Sequence, residues 1–333
     1  MTAKLDQIYK LLQETTSKEI VQNFLKNKGL HYSGTWDEVY SKRIIPALEA
    51  NQLTEVDLIE LLRDCEEYGR QHIFLYKCDP VIAKKIIDQD RVNTILKENN
   101  LTGLLNDPVV LNMPDKPTFS DIRWDTATIN LALTVKSIET RRVKQFLGEV
   151  KDGFKFSLNY EYVPERVVNI AKLSHDGSLE IRLQSNSNSN KYEKELKKFR
   201  DSIDFLIPQE HFTEVSLQNA KTIISSNPEK FHDELRINDS VLENDLGNKL
   251  RGVTGSKEMD LNSDDAATNS LQSFLKEDGF CTKSNIWFIA KENILSSDVH
   301  VILAGEVNEI AIPANCTKLD YNYVLDRLQT FNK

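Results

Sequence analysis

The sequence lacks the residue patterns from which metal sites, disulfide frameworks and cofactor loops are built. Its four cysteines contain no CxxC pair, which argues against a zinc ribbon or a redox pair. Its six histidines are scattered, and no two have metal-ligand spacing on one helix face. We find no glycine-rich nucleotide loop, no HExxH and no GxSxG. We therefore predict a non-catalytic protein with no metal and no cofactor.

Long apolar runs are also missing. No stretch approaches the ~20 apolar residues that a membrane-spanning helix needs. The first residues, MTAKLDQIYKLLQETT, are amphipathic and lack the apolar centre of a signal peptide. The chain is therefore expected to be intracellular, either cytoplasmic or, in a eukaryote, nuclear, without a membrane partner.

Negative charge exceeds positive charge over the whole chain, which gives a net charge of −9, but this excess is unevenly distributed. Residues 207–333 contain 12 Lys and Arg against 20 Asp and Glu, a net charge of −8. Residues 115–206 contain 16 against 14, a net charge of +2. Binding to nucleic acid requires local rather than global positive charge. The distribution therefore permits DNA binding by the first two thirds and favours a protein partner for the acidic last third.

Helical periodicity dominates residues 1–107, where we find no strand pattern and predict an all-α helical bundle. Thr35 and Glu38 have the spacing of a capping box, which marks a helix start. Gly29 is predicted to end the preceding helix in a left-handed conformation. Thr54 is expected to begin a helix that continues through residue 77.

Prolines at positions 108, 114 and 117 indicate a linker, after which the pattern changes. Residues 118–206 alternate apolar and polar side chains and contain Asp176-Gly177, a strong hairpin signal. They predict a central antiparallel β-sheet with one packed closing helix. Residues 207–333 mix both patterns and predict a C-terminal α+β domain, including a polar loop at 249–266. The expected fold class is multidomain α+β.

The segment TSKEIVQNFLKNKGLHYSGTWDEVYSKRI, residues 16–44, resembles a SAP domain, a short helix–turn–helix module that binds DNA. The resemblance lies in Gly29-Leu30, Ser33-Gly34, Val39 and the closing Arg43-Ile44. It covers under a tenth of the chain. The family usually has a lysine near the start of the second helix, where this sequence has Thr35-Trp36 followed by two acids.

Two groups of cations are the predicted phosphate contacts. The resemblance to SAP domains implies the first, which consists of Lys26, Lys28, Lys42 and Arg43. The second lies close together near a predicted strand end and consists of Arg141, Arg142 and Lys144. We therefore expect a DNA-associated accessory or adaptor protein that also recruits a protein partner, an arrangement suited to DNA handling or genome defence.

Two alternative functions stay open at the level of sequence. A helical domain of this size is also typical of death-domain-like bundles, which would make the protein a pure protein–protein adaptor. A metal-dependent nuclease would need carboxylates and a lysine, for which Asp176, Glu180 and Lys172 are the nearest candidates.

Overall fold

The computed structural model describes residues 3–125, 131–186, 192–303 and 307–333. A short π-helical stretch, Tyr40–Ile44, joins the third and fourth α-helices into one continuous helical segment. The α-helices are α1 (Ala3–Thr15), α2 (Lys18–Asn27), α3 (Trp36–Val39), α4 (Ile45–Glu49), α5 (Glu55–Glu67), α6 (Pro80–Ile86), α7 (Gln89–Glu98), α8 (Glu193–Ile203), α9 (Gln218–Ser226), α10 (Pro228–Phe231), α11 (Asp265–Lys276) and α12 (Lys318–Phe331).

The strands form one large antiparallel sheet, which makes the chain a mixed α/β protein. They are β1 (Gly69–Lys77), β2 (Thr118–Asp125), β3 (Ala132–Asp152), β4 (Lys155–Ser174), β5 (Ser178–Gln184), β6 (Thr213–Glu214), β7 (Leu235–Glu243), β8 (Lys249–Val253), β9 (Phe280–Phe288), β10 (Val299–Leu303) and β11 (Glu309–Asn315). Their order is β2-β3-β4-β5-β1-β11-β10-β9-β7-β8, and β6 adds a short pairing with β1. The division into three domains at 107, 118 and 206 stays a prediction.

The first helices, α1 to α5, share a hydrophobic core of their own. Ile8 and Leu12 of α1 pack there with Val21 and Leu25 of α2 and with Leu58 of α5, and all of these residues are buried. Thr54 caps α5 by accepting a hydrogen bond from the amide of Asp57. These helices are amphipathic, and tertiary packing of their apolar faces stabilises helices that are too short to form alone.

Strand β1 lies in the middle of the sheet and is covered on both faces. Phe74 and Tyr76 pack into a core with α6, α7 and α8. Ile73 and Leu75, which alternate with them, pack into a second core with α9 and α12. Since successive side chains of a strand point to opposite faces, helices cover this part of the sheet on both sides.

The structure overturns two predictions about secondary structure. The helix predicted to run from 54 to 77 ends at Glu67, and residues 69–77 form β1. A strand buried on both faces has a continuous apolar run, here Ile73–Tyr76, that resembles part of a buried helix. The polar loop predicted at 249–266 contains β8 and the start of α11.

Several local predictions are confirmed. Thr35 and Glu38 form a complete capping box. Gly29 has a φ of 73° just after α2, and Gly177 has a φ of 92° in the turn between β4 and β5. A Cβ on Gly177 would lie 2.1 Å from the carbonyl oxygen of Cys78, so this turn requires glycine for space as well as conformation.

The C-terminal end of α5 meets the sheet through buried charges, which we call the ionic junction. Glu66 pairs with Lys136 of β3 and with Arg166 of β4. Glu67 accepts hydrogen bonds from Arg123 of β2. The remaining members are Arg182 and Glu180, both of β5, with Tyr68 and Tyr321.

Arg182 is the most enclosed cation of the ionic junction, with 2% of its surface exposed. Its Nε donates to Glu180 Oε2 at 3.0 Å, and its guanidinium carbon lies 4.4 Å from the ring centroid of Tyr321. Tyr321 also donates to Glu180 through its hydroxyl, at 3.2 Å. Burial raises the pKa of Glu180, but Arg182 and Lys172 lower it more, so the carboxylate stays charged.

No helix in the described part of the chain combines the length and the apolarity needed to cross a bilayer.

Candidate nucleic-acid interface

Two helical segments of the N-terminal bundle form the region that resembles a SAP domain. Helix α2 ends at Asn27, and Gly29 reverses the chain with a left-handed conformation. The next segment begins at the cap residue Thr35 and runs through Glu49 as α3, the π-helical stretch and α4. Val39 and Ile44 are fully buried in the bundle core. Whether this pair acts as a SAP module stays a prediction.

Two of the four cations predicted in this region form ion pairs. Lys28 pairs with Asp57 of α5, and Lys42 pairs with Glu38 at 2.9 Å. The hydrogen bond from Lys42, followed by that from the amide of Thr35, lowers the pKa of Glu38 to about 2. Glu38, at the start of this helix, therefore partly neutralises Lys42, which is one of the predicted phosphate contacts.

The other two cations lie at the turn itself. Lys26 is exposed, with its Nζ 5.9 Å from the ring centroid of Tyr32. Arg43 donates from Nε to the carbonyl oxygen of Ser33 at 3.3 Å, which ties the second helix to the turn. Lys26 is therefore more available to a phosphate than Arg43 is.

Strands β3 and β4 form a hairpin that extends far beyond the ends of the neighbouring strands β2 and β5. Strand β2 pairs with β3 only as far as Ile138, and β5 pairs with β4 only from Asn169 onward. Between these points the two strands pair with each other, and no other described strand joins them. We call residues 142–164 the arm; at ~3.3 Å per residue, each strand of it spans roughly 35 Å.

The arm has one apolar face, which we call the aromatic face. Tyr160 lies opposite Phe146 and Tyr162 lies opposite Lys144, so these four side chains share a side of the hairpin. The apolar members are Phe146, Phe156, Leu158, Tyr160 and Tyr162, all of which are exposed. Phe156 and Tyr162 retain 61% and 69% of their surface. The opposite face carries polar residues such as Ser157, Asn159 and Glu161, interrupted by Val143, Val150 and Val163.

Cations alternate with the rings on the aromatic face. Lys144 Nζ lies 3.8 Å from the ring centroid of Tyr160, and Lys151 Nζ lies 5.1 Å from that of Phe156. Arg142 is exposed on the same face, opposite Pro164. None of these three cations forms an ion pair with a carboxylate of the described residues. The face therefore combines exposed π-surfaces with uncompensated positive charge.

Arg141 differs from its neighbours in sequence. Its Nε donates to Glu165 at 2.7 Å, and its guanidinium also donates to the backbone carbonyl oxygens of Gln184 and Ser185. Since alternate residues of a strand point to opposite faces, Arg141 lies on the side away from Arg142 and Lys144. The structure therefore separates the predicted trio, because Arg141 fastens the base of the arm to the end of β5.

Sequence reasoning missed the residues that complete this surface, namely Lys151, Phe146, Phe156, Tyr160 and Tyr162. The signal was the alternation in FKFSLNYEYV, residues 154–163. Alternation identifies a strand with one apolar face, but it does not show whether a helix or a second sheet covers that face. Here nothing in the described residues covers it.

The three residues considered for a nuclease are engaged elsewhere. Asp176 accepts from the amide of Ser178 at 2.9 Å and pairs with Lys77. Glu180 belongs to the ionic junction, and Lys172 pairs with Asp125. Across the described ranges, no group of three His, Cys, Asp or Glu side chains is placed to hold a metal ion.

Two comparisons of the sequence with known proteins found no relative. No protein-family model matches the chain. A search of curated proteins likewise finds no match. The resemblance of residues 16–44 to SAP domains and the chemistry of the arm are therefore the two observations from which a function can be argued.

Proposed function

We propose that this protein is a non-catalytic, DNA-associated accessory protein that contacts phosphates through the arm and recruits a protein partner. The observation that carries the proposal is the set of uncompensated cations on the arm. Arg142, Lys144 and Lys151 are exposed on one face, outside the body of the sheet. Cations without carboxylate partners can neutralise phosphates and release the counterions condensed on the nucleic acid, which is the main source of sequence-independent affinity for nucleic acid.

The helix pair at 16–44 supplies a weaker second contact in this proposal. Lys26 is exposed, whereas Lys28 and Lys42 must exchange their carboxylate partners for phosphate. Exposed ion pairs of this kind contribute at most about 1 kcal/mol. Replacement of the carboxylate by a phosphate therefore costs little but also adds little net affinity. The acidic region 207–333, with its net charge of −8, is the proposed surface for a protein partner. DNA handling or genome defence is the setting in which we place these two activities.

The proposal predicts binding of the full chain to DNA that weakens steeply with salt. The logarithm of the association constant should fall linearly with the logarithm of salt concentration, with a slope of about −0.9 for each phosphate contacted on a duplex. Fluorescence anisotropy with a labelled fragment over a salt series measures this slope. The double variant Arg142→Glu/Lys144→Glu should bind more weakly at every salt concentration and reduce the slope by about 2.

Two further variants serve as comparisons in the same experiment. Lys42→Glu/Arg43→Glu tests the helix pair and should have the smaller effect. Lys84→Glu/Lys276→Glu reverses two exposed charges on α6 and α11, outside both proposed contacts, and should leave the slope unchanged. Absence of any retention at low ionic strength would refute the proposed function. An equal loss of DNA affinity in the Lys84→Glu/Lys276→Glu variant would show that net charge, and not the position of the cations, determines binding.

The alternative of a pure protein adaptor is favoured by one specific observation. Phe154 at the tip of the arm is fully exposed, and both edges of the arm lack a neighbouring strand within the described residues. Such edges can accept a strand from another protein. Co-purification with a partner that is lost on removal of Phe154, together with indifference to DNA, would select this function.

A further inference from the structure

We propose that the aromatic face of the arm is a stacking platform for single-stranded nucleic acid. This inference rests on the proposed function, because it specifies the form of nucleic acid that the arm contacts. Phe146, Phe156, Tyr160 and Tyr162 present their rings to solvent on one face. Bases stack on exposed aromatic side chains with little regard to sequence, since every base has a π-face.

The spacing of the rings favours a single strand over a duplex. Alternate side chains along β4, such as Tyr160 and Tyr162, are separated by roughly 6.6 Å. Successive bases in a duplex strand rise by only about 3.4 Å, and each base face is already covered by its neighbour. A ring therefore cannot stack within an intact duplex. An unstacked single strand leaves its bases free and can extend until they reach successive rings.

The cations of the aromatic face supply the backbone contacts. Lys144 and Lys151 lie at rings, and Arg142 lies two residues before Lys144 on the same strand. A base on a ring therefore has a cation close to its own phosphate, which is the combination used by single-strand-binding surfaces. On binding, each lysine side chain exchanges its contact with the ring for a phosphate, while the base takes the position over the ring.

Charge also distinguishes a nucleic acid from a second copy of this chain as the occupant. A symmetric dimer would place the aromatic face against itself. Arg142, Lys144 and Lys151 would then oppose the same three cations, with Glu149 as the one carboxylate on that face within the described arm. Like charges facing each other across an interface are unfavourable. A polyanion would face three cations and one carboxylate, a net attraction, whereas a second copy would face a surface of the same net positive charge.

The test uses the full chain with labelled oligothymidylate, oligouridylate and a mixed-sequence duplex of equal length. We expect at least one of the two single strands to bind at least about tenfold more tightly than the duplex. The comparison between the thymidylate and the uridylate shows whether the natural ligand is DNA or RNA, because the 2′-hydroxyl is the main difference. Equal affinity for duplex and single strands would overturn the inference.

Ring replacements separate stacking from general apolar contact. Tyr160→Leu and Tyr162→Leu keep an apolar side chain but remove the π-face, and each should weaken single-strand binding roughly 5- to 150-fold. Tyr162→Trp should restore or exceed the original affinity. Circular dichroism verifies that each variant is folded. If Leu binds as well as Tyr, the rings do not stack on bases and the inference fails.

The outcomes also separate this inference from the proposed function. Loss of binding only with Arg142→Glu/Lys144→Glu, together with equal binding of duplex, would retain the proposed function and reject the stacking platform. No binding of any nucleic acid at low ionic strength would reject both. Light scattering that shows a dimer disrupted by Tyr162→Leu, without nucleic-acid binding, would assign the aromatic face to a second copy instead.

Discussion

The ionic junction and the arm distribute the same types of side chain in opposite ways. In the ionic junction, charged groups are buried and paired, as Arg182 is with Glu180. In the arm, apolar rings such as Tyr162 are exposed, and Lys144 and Lys151 have no carboxylate partner among the described residues. Both strands of the hairpin take part in both regions, because Lys136 and Arg166 at its base belong to the junction.

This difference separates residues that hold the fold together from residues that are available to a ligand. A buried ion pair loses solvation for both partners, so each charge depends on the other for its stability. An exposed cation keeps its hydration and can exchange it for a phosphate at little cost. The comparison therefore predicts that substitutions in the junction change stability, whereas substitutions in the arm change binding.

The largest effect on stability is expected from Arg182→Met. Removal of the guanidinium leaves Glu180, whose side chain is 16% exposed, without its closest cation, which should lower the free energy of unfolding by about 3–5 kcal/mol. Denaturant unfolding followed by circular dichroism measures the change. Arg142→Met, which removes an exposed arginine of the arm, is the matched control and should change stability by at most about 0.5 kcal/mol. Equal effects of the two substitutions would remove the distinction between the regions.

Acid should lower the stability of the protein through the ionic junction. Burial raises the pKa of Glu67, but Arg123 and Lys136 lower it more, so the folded-state pKa lies below the usual value. Such a carboxylate stabilises the folded state above its unfolded pKa of about 4.3, and this stabilisation is lost as pH falls toward the folded value. Denaturant unfolding at several pH values should show the free energy of unfolding decreasing below about pH 4.3.

Glu67→Gln tests whether Glu67 causes this decrease in stability at low pH. The variant should be less stable than the parent at neutral pH, because Arg123 loses one of its two carboxylate partners and retains only Asp121. Its stability should also decrease less steeply below about pH 4.3. Glu149→Gln on the arm is the control, since it should follow the pH profile of the parent. A Glu67→Gln profile parallel to that of the parent would locate the acid sensitivity elsewhere.

The smallest effect on stability is expected in the arm. Phe156→Ser and Tyr160→Ser remove exposed rings and should each change the free energy of unfolding by at most about 0.5 kcal/mol. Phe74→Ala, which removes a ring that is 1% exposed in the core, should cost about 3–5 kcal/mol by comparison. A large loss of stability from either arm substitution would mean that the rings serve the fold.

Local features of the fold could be predicted from the sequence wherever their cause is local. The capping box of Thr35 and Glu38 and the turn at Asp176-Gly177 involve groups only a few residues apart, and both are present. Strand β1 could not be predicted in this way. Its run of four apolar residues, Ile73–Tyr76, reflects two cores that consist largely of later parts of the chain.

The candidate site shows the same limit. Arg142 and Lys144 could be predicted as candidates because they are cations close together in the sequence with few nearby acids, and the structure leaves both exposed. Arg141 has the same local sequence context, but Glu165 becomes its neighbour only when β3 pairs with β4, and Ser185 only when β5 also pairs with β4. Exposure of the rings could not be inferred at all, since it depends on whether a helix or a second sheet packs on that face, and nothing in the described residues does.

The position of β1 has a consequence for the order in which the protein can assemble. Phe74 pairs with Ile181 on one side and with Glu309 on the other. During synthesis, the middle strand is therefore made first, and its second neighbour becomes available only when nearly all of the described chain exists. Pairing across such long separations is intrinsically slow, and an unpaired apolar strand is prone to misassociation. Helices α6 to α9, which are made before β11, would then have a protective role on the ribosome, where they shield the apolar faces of β1 until β11 arrives.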